Sequence, residues 1–170
     1  ACMSTFFTSG EYSLAVIARS GFMHLLTPED QERALRNIHR HLTADGILSF
    51  NTFDPNYAII AGRLKGSNPQ PAARTEYTNT RGNRERIWNA GEYDPETQLI
   101  EGLWTFEELN AQGEVIDRRE RPARMRWSFE PETRHLLRLC GFEVIAQYSD
   151  YAKAPRRYGG HIMWVVRKTG

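Results

Sequence analysis

Between residues 12 and 53 the chain reads strand, helix, strand, with only short connections between them. YSLAVIA (12–18) is a short apolar run bounded by Gly10 and by Ser20-Gly21, the pattern of a strand buried on both faces. TPEDQERALRNIHRHL follows. Thr27 is a good N-cap, Pro28 fits the first turn, and Asp30 sits where the helix dipole favours an acid. Ala34, Leu35, Ile38 and Leu42 share one apolar stripe, and His39, Arg40 and His41 lie near the C-terminal end. Gly46 reads as the helix stop, and GILSFNTF as the next strand. This order makes a βαβ unit with parallel strands and a right-handed crossover.

Residues 54–81 are rich in Pro, Gly, Asn and Arg and show weak periodicity. They read as a mobile connection with one helical turn near residues 57–64. Three extended segments follow, at 85–93, 98–109 and 114–128, separated by DPET and NAQG. Both separators have hairpin chemistry, so the three form an antiparallel meander. Arg118, Arg119, Arg121, Arg124 and Arg126 on its last strand read as partners of Glu101, Glu107, Glu108 and Asp117. The end of the chain returns to α/β style. PETRHLLRLCG is a helix with Pro131 in its first turn and Gly141 as its stop, FEVIAQYSDY is a strand, and HIMWVVRK is a last strand closing a long hairpin.

Composition narrows the partners. A formal net charge of +1 steers the chain toward neither nucleic acid nor membrane. No apolar run approaches the roughly 20 residues that span a bilayer, and no basic-then-apolar leader opens the chain. Cys2 and Cys140 are too isolated for a disulfide framework or a zinc site and suit a reducing cytoplasm. The spacing of His24, His39, His41, His135 and His161 makes no metal site.

Several stretches together resemble class I S-adenosylmethionine-dependent methyltransferases of the small-molecule type. ACMSTF resembles the acidic-Met-x-x-Phe segment after their third strand, and residues 11–50 resemble their fourth strand, loop, helix and fifth strand. The phrase HLLTPEDQ…AL..I..HL…G is specific as a whole. LLRLCGFEVI resembles their last helix and sixth strand, and HIMWVVRK their antiparallel seventh. The resemblance covers nearly the whole chain. It implies an α/β fold: the C-terminal half of a Rossmann-like methyltransferase sheet, with residues 1–53 and 129–170 as a partial core. Residues 54–128 are then an inserted connection and antiparallel β lid. The family's Gly-rich turn and the acid ending its second strand, which hold the methionine part and the ribose of the cofactor, have no counterpart in the sequence.

The same resemblance implies S-adenosylmethionine as cofactor and assigns roles. Cys2 and Met3 approach adenine, mainly through the Met3 amide, with a thiol at Cys2 where the family has an acid. Ala18, Arg19 and Ser20 face the cofactor at the carboxyl end of their strand. His24 is the catalytic candidate, a neutral imidazole able to accept a proton from an amine or hydroxyl; the plainer reading is a residue capping or packing near the helix start. Asn51, Phe53, Trp88, Trp104 and Tyr151 line the acceptor pocket, although the two tryptophans also read as cross-strand core of a small sheet. The implied activity is methyl transfer to a nitrogen or oxygen of a small molecule, as part of a longer or complemented enzyme. The alternative is a non-catalytic remnant serving as a binding or assembly module. Without the family's first strand, residues 12–18 form a sheet edge, which implies a homo-oligomer or a complementing N-terminal half.

Overall fold

The computed structural model describes residues 2–170. Two compact units emerge: one runs to Tyr57 and resumes at Met125, and the other is Ala58–Arg124.

The first unit is built on β1 (Tyr12–Ile17), a 3-10 turn (Gly21–His24), α1 (Pro28–His41), β2 (Leu42–Phe53), α3 (Glu130–Leu139), β7 (Phe142–Tyr148) and β8 (His161–Lys168). Its sheet has the order β1-β2-β8-β7. β1 and β2 are parallel, and β8 is antiparallel to both neighbours, so the expected mixed sheet with one reversed strand is present. Thr27 caps α1, its hydroxyl accepting from the Asp30 amide at 3.1 Å. Ala34, Leu35 and Ile38 of α1 and Leu137 and Cys140 at α3 pack on Leu48, Phe50, Ile162, Trp164 and Val166 in a single core. Burial pushes the Cys140 thiol up to about 11, which leaves it a packing residue. The start of the chain is tied to α1: Asn37 Nδ2 donates to the carbonyls of Met3 and Phe6 at 3.3 and 3.0 Å.

Two expectations are corrected. Gly46 does not end α1. The helix stops at His41, where the Leu42 amide bonds back to the His39 carbonyl, and the chain enters β2 at once. Between Leu42 and Ile47 the register with β1 slips, and regular pairing starts at Leu14↔Ile47. Gly46 lies in that slipped stretch, where a Cβ would come within 2.8 Å of the Leu42 Cβ. Nor is β1 buried on both faces. Ile17 joins the core, but Leu14 and Val16 are 55% and 63% exposed. The strand has one sheet neighbour, and both helices pack into the core on the opposite face.

The second unit carries α2 (Tyr57–Ala61), β3 (Ala72–Thr78), β4 (Arg84–Asp94), β5 (Leu99–Leu109) and β6 (Val115–Arg126), though α2 begins and β6 ends just outside its bounds. The meander has four strands in the order β3-β4-β5-β6, not three. β3 occupies part of the stretch read as a plain connection. Cross-strand ion pairs tie it to β4, with Glu76 meeting both Arg84 and Arg86. Three of the five arginines read on β6 meet the expected carboxylates: Arg118 lies 3.7 Å from Glu107, Arg119 is 3.3 Å from Asp117, and Arg124 is 2.7 Å from Glu101. Arg126 pairs instead with Glu132, and Arg121 bonds the Glu120 carbonyl. Arg119 also reaches Glu85 at 2.8 Å.

Candidate active site

Parallel β1 and β2 end side by side, so their carboxyl ends share one edge of the first unit. That edge is where open α/β sheets bind ligands. The chain leaves β1 through Ala18, Arg19 and Ser20. Arg19 and Ser20 both lie in the left-handed region, with φ of 54° and 58°. Such a conformation costs a non-glycine residue about 1–2 kcal/mol, so something must hold it. Asn51, 5% exposed on β2, does so from the side: its Oδ1 accepts from the Ser20 amide at 2.9 Å and its Nδ2 donates to the Ser20 hydroxyl at 2.7 Å. The turn closes with Gly21 N on the Ala18 carbonyl at 3.0 Å.

The 3-10 turn follows directly. Phe22 and Met23 anchor it: Phe22 lies 5.0 Å from the Phe50 ring, and the Met23 sulfur accepts from the Phe53 amide at 3.3 Å. His24 ends this turn and is exposed. Phe53 sits 5.7 Å from the His161 ring. On the sheet face away from the helices lies a groove of about 200 Å³. Val16, Ala18, Asn51, Met163 and Tyr151 are among its lining residues, the Tyr151 ring being 78% exposed.

Of the residues singled out from sequence, Ala18, Arg19, Ser20 and Asn51 therefore meet at one turn, and Tyr151 shares the groove with Ala18 and Asn51. Cys2 and Met3 lie in the opening turn, where the exposed Cys2 sulfur is 3.1 Å from the Ser4 hydroxyl. That contact, with the Ser4 amide, lowers the thiol below its usual range. Met3 is half-buried against the core. Trp88 and Trp104 belong to the second unit. Trp88 donates its indole N–H to Glu107 at 2.7 Å beneath the Arg86 guanidinium, and Trp104 pairs in register with Asn89. Among the described residues no cluster of three His, Cys, Asp or Glu side chains is set to hold a metal, and no helix is long and apolar enough to cross a membrane.

Sequence reading missed Asp54, which directly follows β2. It is buried, one carboxylate oxygen takes a bond from Arg156 at 2.9 Å, and the other, Oδ1, meets no donor in hydrogen-bonding geometry. Burial raises its carboxyl above the usual range, with Arg156 offsetting part of the rise. No pattern around it in NTFDP signals this.

No protein-family model matches the sequence, and no curated protein matches it. Solved structures do match. A methyltransferase named CcbJ from Streptomyces caelestis aligns over 99% of this chain at 18% identity and a TM-score of 0.73. An S-adenosylmethionine-dependent methyltransferase from Clostridium acetobutylicum aligns over 99% at 12% identity and 0.75. The chain shares its α/β fold with these Rossmann-like structures. The sugar N-methyltransferase KedS8 from a Streptoalloteichus species shares it, over 100% of the chain at 14% identity and a TM-score of 0.65. The chain spans 61–63% of the length of these three structures, so it represents part of the methyltransferase fold as they display it.

Proposed function

We propose that this chain forms part of an enzyme that transfers a methyl group from S-adenosylmethionine to a nitrogen or oxygen of a small molecule. The observation that supports this most is the Asn51-clamped turn at Ala18–Ser20, at the carboxyl edge of two parallel strands in a methyltransferase fold. The residues present fit the cofactor in part. An exposed Tyr151 ring beside the groove suits a sulfonium cation. At Cys2 a thiol is a poor acceptor for an adenine amine, which leaves that end to the Met3 backbone.

When bound, S-adenosylmethionine supplies the methyl group in activated form. The chain's own residues orient the acceptor and manage its proton. Asn51 fixes the turn on which approach geometry depends, and Tyr151 presents its ring along the groove. His24 takes the proton that the acceptor nitrogen or oxygen gives up as its lone pair takes the methyl group. Phe53 serves as an acceptor-side surface in this reading. A solved structure named as a sugar N-methyltransferase and another named as an amino pentose methyltransferase support a small-molecule acceptor.

Expression of the chain within its full reading frame tests the reading, using S-adenosylmethionine labelled in its methyl group and a panel of amines and alcohols. Label should pass to an acceptor, and His24→Gln should lower kcat by about 10²–10⁴-fold while leaving the melting temperature unchanged. Tight cofactor binding without transfer to any acceptor would favour the binding-module alternative. The reading also expects the open edge of β1 to be covered, by a segment carrying the remaining strands or by a second copy. Val16→Lys should then weaken association of the pure chain in sedimentation by about tenfold or more. A monomer at every concentration, for both proteins, would remove that part of the proposal.

A further inference from the structure

The structure assigns the groove beside Asp54 to a protonated amine on a small ring-shaped or apolar body. This groove, about 710 Å³, is formed by residues of the first unit, where β2 ends, α3 begins and the loop before β8 passes. Its volume falls in the range of small-molecule sites. Three aromatic rings line it: Tyr57, Phe129 and Tyr158. Tyr57 and Phe129 lie 5.5 Å apart at 48°, and the Tyr158 hydroxyl accepts from the Tyr57 amide at 3.3 Å. Tyr57 and Tyr158 are nonetheless 71% and 60% exposed. Open aromatic faces beside carboxylates are the surroundings a cation prefers.

The charges point the same way. Glu130 and Glu132 reach the groove but are already matched, by Arg134 at 2.6 Å and Arg126 at 2.8 Å. Asp54 differs. Arg156 takes one of its oxygens, and the Glu130 backbone N–H lies near enough to favour its charged form without reaching bonding geometry at the buried Oδ1. The Asp54 carboxylate is 2% exposed and lines the groove, so a cation seated there would offset the cost of burying its charge. An anion attracted by Arg156 and the start of α3 would meet three carboxylates, so a cation is the better match. As the seat of the methyl acceptor, the groove rests on the methyl-transfer reading above; as an amine site it stands without it.

Cyclohexylamine and its neutral analogue cyclohexanol, titrated into the 170-residue chain and followed by amide NMR, test the assignment. The amine should give saturable shifts centred on Asp54, Tyr57 and Phe129, and the alcohol should bind about tenfold or more weakly. Asp54→Asn should bring amine binding down to the alcohol's level. Tyr57→Leu, at an exposed position, should weaken the amine about fivefold without moving the melting temperature, so the test survives if Asp54→Asn fails to fold. Equal binding of amine and alcohol, or shifts that avoid these residues, would overturn the assignment. Methyl transfer by the longer polypeptide without amine-dependent shifts here sinks this site alone; amine binding without methyl transfer sinks only the enzymatic reading.

Discussion

Trp164→Ala is expected to destabilise the first unit by about 3–5 kcal/mol, the largest loss from any single truncation in its sheet. Trp164 is fully buried at the middle of β8, the strand between β2 and β7. Its ring stacks on Phe50 at 6.0 Å and 10°, across the register pair that joins β8 to β2. Its indole N–H donates to the Thr52 hydroxyl at 2.9 Å. Truncation opens a cavity among residues that both helices hold in place, and it leaves Thr52, itself buried, without that donor. Domains are stable by roughly 5–15 kcal/mol in all, so this loss is a large fraction. Trp164→Phe keeps most of the ring contact and loses the hydrogen bond, and should cost about 1–3 kcal/mol. Urea unfolding of the three proteins provides the check. A cost below about 1.5 kcal/mol for the alanine variant would mean the core collapses around the gap.

The backbone of the first unit was legible because its signals are local and redundant. Thr27, Pro28 and the stripe through Ala34, Leu35 and Ile38 mark α1 three times over, and each observed feature matches its signal. A glycine after a helix is a weaker sign. At Gly141 it marks the stop, with φ of 80°, and at Gly46 it lies in a strand where a side chain would strike Leu42. β3 escaped notice because AARTEYT is polar, and its partners Arg84 and Arg86 lie beyond a turn, so no apolar alternation announces it. Topology sufficed to bring Asn51 and Ala18–Ser20 to one edge. The clamp between them was not legible, because neither Arg19 nor Ser20 is a residue type that advertises positive φ. Asp54 was hidden for a related reason: its burial and its unmet oxygen depend on Arg156, 102 residues away.

Asn51→Leu should release the turn at the end of β1. Leucine is close to asparagine in size and removes both hydrogen bonds to Ser20. Each contributes about 0.5–1.5 kcal/mol net, so the expected loss is about 1–3 kcal/mol, partly relieved because Ser20 is only half-buried and can turn to water. The local effect should exceed the global one. Ser20 and Arg19 would relax out of the left-handed region, and exchange of the Ser20 amide should quicken by about tenfold or more while amides in the middle of β8 change little. Asn51→Asp separates the bonds from the bulk. Its Oδ1 still accepts from the Ser20 amide and its second oxygen can accept from the Ser20 hydroxyl, so the turn should hold even though burying the new charge lowers stability. Arg19→Gly tests the strain itself. With no Cβ at φ 54°, that variant should gain about 1 kcal/mol. Hydrogen exchange and urea unfolding of the three variants decide the matter. If Asn51→Leu leaves the Ser20 amide as protected as before, the turn is held by Gly21, Phe22 and Met23 rather than by the clamp, and Asn51 has no part in positioning the edge.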